Sequence, residues 1–246
     1  MSFAADSPCW ILGTGFLGSR LRARLLHAVG IDAAAPAEVR GDAAEAAVLA
    51  RAAALAQPAA VFCCMSTRGG DAAAYRRTYL ETLRALPEGP RLVFCSALSA
   101  GQGGSEKAAI LREAEALVLA RGGVVVRLAA LYGEGRCELL RRHLAGEPRL
   151  AGADTRRFNY IHVEDAADAL LAAAAAPSGV YAACGDSLTK AEAYAMLAAE
   201  TGKPAAADSA AEGRRGAADV DPLSVALPVP RWAPQIHLAD WCRRHA

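Results

Sequence analysis

The chain has 246 residues, 54% of them apolar, and carries 27 Lys and Arg against 26 Asp and Glu for a formal net charge of +1. That length and apolar share support one large domain or two small ones with a full core and exclude global disorder. Charge this balanced, with its basic residues scattered, gives no electrostatic footprint for nucleic acid, and no such partner is expected.

The N-terminal "MSFAADSPCWILG" lacks the charged n-region of a signal peptide. No run reaches membrane-spanning length, and the Ala-rich stretch 166–176 is closed by Pro177, so no membrane partner and a cytoplasmic location are expected. The seven cysteines (Cys9, Cys63, Cys64, Cys95, Cys137, Cys184 and Cys242) show no Cys-x-x-Cys pairing and mostly lie in apolar runs. Reduced core thiols, with no metal site, are the expectation.

In chain order, "CWILG", "AAVFCC" (59–64), "RLVFCS" (91–96) and "GVVVRLAAL" (123–131) are short apolar runs without alternation, the pattern of strands buried on both faces in a parallel sheet. Helical patterns lie between them. Leu17, Leu21, Leu25 and Val29 recur every four residues and predict an amphipathic helix over 16–29. Further helices are predicted over 43–56, 72–86 and 105–121, the last with Ser105 as N-cap and Gly122 as its stop. Alternating strand and helix means a doubly wound α/β fold, with a Rossmann-like domain over 1–131.

The remainder, 132–246, reads as a small C-terminal substrate lobe whose strands 157–163 and 179–184 return to the main sheet. Glu164 and Asp165 suit the start of the helix after the first of these strands, and nothing more is expected of them. Thr189 and Glu192 form a capping-box pattern ahead of a helix over 190–201 that Gly202 and Pro204 close. Residues 205–219 read as a mobile loop, and the tail from 229 brings two Trp back onto the body.

Gly13-Thr14-Gly15-Phe16-Leu17-Gly18 fits G-x-G-x-x-G between a buried-type strand and an amphipathic helix. In such a turn the first Gly makes the bend, the second admits a pyrophosphate, and the third lets helix pack on strand. These six residues are candidate cofactor contacts. A methyltransferase loop is the other Gly-rich option, disfavoured by the glycine spacing and by the lack of an acid beside the loop. With the first helix running to 29, only about a dozen residues precede Gly41 and Asp42, so Glu38 becomes the candidate acid for a ribose hydroxyl and Arg40 the candidate for a 2′-phosphate. NAD and NADP stay open. Asp42, Met65 and Ser66 complete the candidate cofactor set.

Taken together, "ILGTGFLG", "VRGD" (39–42), "RLVFCSALS" (91–99), "VVVRLAALYGEG" (124–135), "RRFNYIHVEDAADAL" (156–170) and "GVYAACGDSLT" (179–189) resemble, in order, motifs of the extended and atypical short-chain dehydrogenase/reductases of the NAD-dependent epimerase/dehydratase type. The resemblance covers 8 to about 200. It implies a nicotinamide cofactor, a nucleotide-sugar or other small hydroxyl or carbonyl substrate, and a homodimer built on the helices 72–86 and 105–121. It also implies a Tyr-x-x-x-Lys pair beside a Ser, in which the Lys brings a phenol of ordinary pKa about 10 toward neutrality.

Ser96 takes the Ser place and Lys107 is the candidate Lys, but no Tyr lies between Tyr79 and Tyr132. Counting back from Arg127 to an acid at Glu113 puts the Tyr and Lys places at Ser105 and Ala109, while taking Lys107 as the Lys puts the Tyr at Gly103. Tyr79 and Tyr132 read as packed residues rather than acids, and His162 as a satisfied histidine rather than a base. Arg156 and Arg157 correspond to an arginine that contacts substrate diphosphate in sugar-nucleotide members, with a surface charge pair as the other reading. Three readings stay open: an oxidoreductase or epimerase/dehydratase, a non-catalytic NAD(P)-binding regulator, and a glycine turn kept only as architecture.

Overall fold

The computed structural model describes residues 4, 6–67, 69–102, 104–208 and 221–246. The expected loop 205–219 therefore lies outside the described residues beyond Asp208, as does Gly103.

The first half alternates as expected: β1 (Cys9–Leu12), α1 (Phe16–Arg22), β2 (Ala28–Asp32), β3 (Val39–Arg40), α2 (Ala46–Leu55) and β4 (Ala60–Cys63). Next, α3 (Ala72–Tyr75) runs through a π-helical segment, Arg76–Glu81, into α4 (Thr82–Ala85). β5 (Arg91–Ala97), a 3-10 turn, α5 (Glu106–Ala120) and β6 (Val124–Leu128) follow. Ser105 caps α5 by accepting the Ala108 N–H, and Gly122 stops it at φ +67°.

The second half holds β7 (Ala130–Tyr132), α6 (Glu138–Leu144), β8 (Arg157–His162), α7 (Val163–Ala174), β9 (Gly179–Ala183), β10 (Asp186–Thr189), α8 (Lys190–Thr201), α9 (Pro222–Val225), β11 (Leu227–Pro228) and α10 (Leu238–His245). Both halves of the Thr189–Glu192 capping box are formed.

The main sheet has the order β11-β9-β6-β5-β4-β1-β2-β3, every neighbouring pair parallel. Order reverses between β1 and β4, so a crevice opens there beyond the carboxyl ends of the strands. Strands β1, β4 and β6 are buried at every residue, which is why their sequences do not alternate. α1 and α7 cover one face, while α2, the α3–α4 helix and α5 cover the other.

Two expectations need correction. The first helix ends at Arg22 rather than 29, and Val29 belongs to β2. The four-residue repeat continues because Leu25 and Val29 reach the core from a turn and a strand. Strand 157–163 does not join the main sheet, whereas 179–184 does. β8 pairs with β7 and β10 in a separate three-stranded sheet, and its half-buried Arg157, Asn159 and Tyr160 suit a strand with one drier face.

That small sheet is packed by α6, α8 and α10 around Tyr132, Leu139, Phe158, Leu197 and Trp241. Glu164 and Asp165 do more than open α7. Glu164 pairs with Arg24 of the α1 segment at 2.8 Å, and the buried Asp165 carboxylate accepts the N–H groups of Gln235 and Ile236 at 3.1 and 2.9 Å. Trp232 Nε1 donates to the Asp165 carbonyl at 3.1 Å, so the tail is fastened to the first turn of α7. Among the described residues no helix is long and apolar enough to cross a membrane.

Asp165→Ala removes the buried carboxylate that holds two N–H donors of the tail, and is expected to cost about 1–3 kcal/mol of unfolding free energy. Urea denaturation with an unchanged slope checks this, and a loss below about 0.5 kcal/mol contradicts it.

Candidate functional site

The crevice at the switch point is a cleft of about 1000 Å³. Its floor is the β1–α1 turn, with Gly13, Gly15, Phe16 and Leu17 on the lining. Each glycine has a distinct local reason. Gly13 has φ +86°, and a Cβ there would lie 2.9 Å from the Cys64 backbone. A Cβ on Gly18 would lie 1.9 Å from the Gly13 carbonyl oxygen, so only Gly lets α1 fold back on its own turn. A Cβ on Gly15 meets nothing within 4 Å, which leaves the backbone there approachable from the cleft.

Asp32, at the end of β2, also lines the cleft. Its Oδ2 accepts the Thr14 N–H at 2.8 Å, and its Oδ1 accepts those of Ala34 and Ala35 at 2.7 and 2.8 Å. Thr14 is buried and donates its hydroxyl to the Pro36 carbonyl, pinning the loop after β2. The sequence reading found no acid beside this turn, because overextending α1 consumed β2, the strand that ends in Asp32. Gly30 carries a signal that was available: a Cβ there would sit 2.6 Å from Thr14 Cγ2, so β2 needs Gly where it passes the turn.

Glu38, Arg40 and Asp42 are not on the cleft. Glu38 accepts the Gly30 N–H at 2.7 Å and pairs with Arg22. Arg40 reaches the Ala33 carbonyl at 3.4 Å, and Asp42 holds the Ala44 N–H and Arg77, both at 2.9 Å. Met65 and Ser66, just after β4, do line it. Beside them Cys95 donates its S–H to Cys64 at 3.6 Å; that bond and burial push the Cys95 thiol well up. All seven cysteines are free, and no cluster of His, Cys, Asp and Glu among the described residues could hold a metal.

Ser96 lines the cleft but is committed elsewhere. Its hydroxyl donates to Glu115 Oε1 at 2.6 Å, and Arg127 donates to both oxygens of that carboxylate at 2.9 and 2.6 Å. Arg127 also reaches the Val225 carbonyl at 2.6 Å. Glu115 is 4% and Arg127 9% exposed, so a fully partnered ion pair lies under the cleft. The acid facing Arg127 is thus Glu115; Glu113 pairs with Arg84 on the surface. Leu111 lines the cleft, and Lys107 holds its ammonium 5.3 Å from the ring centroid of Tyr75.

Tyr75 comes from α3 and lines the cleft together with Tyr79. The two rings meet edge to face at 5.4 Å, across the start of the π-helical segment. Burial pushes the Tyr79 phenol far above its ordinary range, and likewise that of Tyr132, whose hydroxyl donates to the Ile236 carbonyl at 2.9 Å. Both are packed residues, as their sequence context suggested. His162 caps α7, its Nδ1 accepting the Glu164 N–H at 3.3 Å, and burial lowers its pKa. Arg156 and Arg157 serve the small sheet: Arg156 donates to the Ala151 carbonyl at 2.8 Å, and Arg157 to Ser187 Oγ at 3.1 Å.

No protein-family model matches the chain, and no curated protein does. Its fold matches solved structures. The Thermus thermophilus UDP-glucose 4-epimerase crystallised with NAD superposes with a TM-score of 0.74 at 22% identity, over 96% of each chain. A Burkholderia cenocepacia protein described as a putative epimerase gives 0.75 at 18% identity, over 98% of this chain and 97% of that one. The Thermotoga maritima UDP-glucose 4-epimerase with UDP-glucose gives 0.70 at 17% identity, over 96% of each chain. The chain therefore has the α/β Rossmann-like fold of these epimerases.

Glu115→Ala leaves Arg127 buried without its acid, and is expected to cost about 3–5 kcal/mol, whereas Glu113→Ala stays within about 1 kcal/mol. Equal effects in thermal and urea unfolding overturn this assignment of the buried acid.

Proposed function

We propose that the protein binds NAD and uses it on a nucleotide sugar or a similar small hydroxyl-bearing substrate, as an epimerase/dehydratase-type enzyme. The observation that carries this is the glycine turn with Asp32 at the switch point. The turn offers open backbone at Gly15, and an acid closes the strand beside it. The cleft is at the upper end of the roughly 300–1,000 Å³ range of small-molecule and cofactor sites. Asp32 favours NAD over NADP, because its carboxylate accepts from a ribose hydroxyl but repels a 2′-phosphate.

When bound, NAD supplies hydride transfer. The chain must then supply proton transfer, and Tyr75 is the phenol best placed for it, since it lines the cleft and a cation lies over its ring. Ser96 has spent its proton on Glu115, so its remaining capacity is to accept from a substrate hydroxyl. Its partner Glu115 fixes its direction. The fold of the epimerases that carry NAD and UDP-glucose supports the same substrate class.

Calorimetric titration with NAD and NADP is expected to give micromolar binding of NAD and much weaker binding of NADP. Gly15→Val, whose Cβ meets no protein atom within 4 Å, is expected to keep the melting temperature and abolish that binding; unchanged affinity overturns the cradle. Tyr75→Phe is expected to keep NAD affinity and lower turnover of UDP-glucose by about 10²–10⁴. Turnover unchanged in that variant removes Tyr75 from the reaction, and NAD binding with no turnover by the wild type makes the protein a binder only.

A further inference from the structure

Arg136 is the one cation on the lining of the cleft among the described residues. It is exposed, and among those residues no acid pairs with it, in contrast to Arg20, Arg22 and Arg24 of the neighbouring α1 segment. Its guanidinium stacks 5.0 Å from the ring centroid of Phe16, the residue that follows Gly15 in the glycine turn. Arg20 covers the same ring at 4.8 Å but pairs with Glu164 and is not on the cleft.

The loop that presents Arg136 is built for position. Gly133 and Arg136 exchange two backbone hydrogen bonds, at 3.0 and 2.9 Å, and Gly135 takes φ +71° between them. A Cβ on Gly133 would lie 2.9 Å from Val163 and 3.3 Å from the Phe16 ring, so the loop rests directly on the turn it faces. Stacking on an aromatic ring fixes the guanidinium plane and leaves its edge donors directed outward.

We infer that Arg136 is an anion clamp that closes a nucleoside diphosphate against the glycine turn. The inference rests on the dinucleotide reading above and adds a residue to it from the other side of the cleft. A guanidinium recognises a diphosphate by paired charge-assisted hydrogen bonds, and a bound pyrophosphate gives Arg136 the anionic partner that the described residues do not provide. Both a dinucleotide and a nucleotide sugar carry this group. The stack on Phe16, inside the turn itself, assigns the clamp to the cofactor.

The test is calorimetric titration of the full chain and its Arg136→Ala and Arg136→Lys variants with NAD, ADP, adenosine and UDP. Arg136→Ala is expected to weaken NAD and ADP by about tenfold or more, with adenosine and UDP unchanged and Arg136→Lys intermediate. The wild type is also expected to lose NAD affinity more steeply with added salt than the Ala variant does. NAD affinity within about twofold of wild type in Arg136→Ala overturns the clamp. A loss seen for UDP but not for NAD overturns its assignment to the cofactor. An equal loss for adenosine shows a collapsed cleft and overturns it as well. Wild type that binds neither NAD nor ADP overturns the dinucleotide reading and the clamp with it. Arg136→Gln replaces the Ala variant if that one does not fold.

Discussion

The approach of α1 to its own preceding turn is the constraint on which the cleft depends. A Cβ at position 18 would overlap the Gly13 carbonyl, and one at position 13 would press on the backbone after β4. With both absent, the chain leaves β1, reverses, and starts a helix within three residues, between the ends of β2 and β4. Asp32 then reaches the Thr14 N–H and orders the loop after β2, and the open backbone of Gly15 faces the crevice. A bulkier turn moves every one of these groups at once, because they share a few ångströms of backbone.

A second constraint lies beneath the first. The Ser96–Glu115–Arg127 cluster joins the end of β5 to α5 and β6 and extends to α9 through the Val225 carbonyl. Charges buried to this degree persist only when fully partnered, and here each carboxylate oxygen and three guanidinium nitrogens have partners. The cluster fixes one wall of the cleft, while the hairpin at Gly133–Arg136 fixes the rim. The groups on these parts of the cleft are thus held by a partnered ion pair and a short hydrogen-bonded turn rather than by long loops.

What was legible in the sequence followed from strong local signals. Unbroken apolar runs named the parallel strands, Ser105 and Gly122 bounded α5, and the Thr189–Glu192 box opened α8. The glycine turn was legible because its spacing and its strand–helix context coincide. The boundary after α1 was not, since residues 23–27 contain no Gly or Pro and their Leu25 keeps the helical rhythm while lying in a turn. That displaced boundary left Glu38, and not Asp32, as the acid read nearest the turn. Glu115 was hidden for another reason: its partner is twelve residues away, and a charge on a helix reads as solvated until its burial is known. It does lie four residues after Leu111 and three before Val118, both of them core positions. Tyr75 comes from a segment outside the quoted motifs and Arg136 directly follows the one at 124–135, yet both lie far in sequence from the glycine turn, so only the fold brings them to it.

The fastening of the tail to α7 also bears on how the molecule is made. β1 lies between β2 and β4 in the main sheet, so the glycine turn has both of its flanking strands as soon as β4 has been synthesised. β11 and the backbone at 235–236 arrive last, and the latter binds a partner some seventy residues earlier. During synthesis at about 5–20 residues per second, the floor of the switch-point crevice can therefore take shape while the small sheet still lacks its final contacts. On the function proposed above, a nascent chain that already enclosed a dinucleotide would be stabilised by it before α10 is made, and the ligand would then take part in folding.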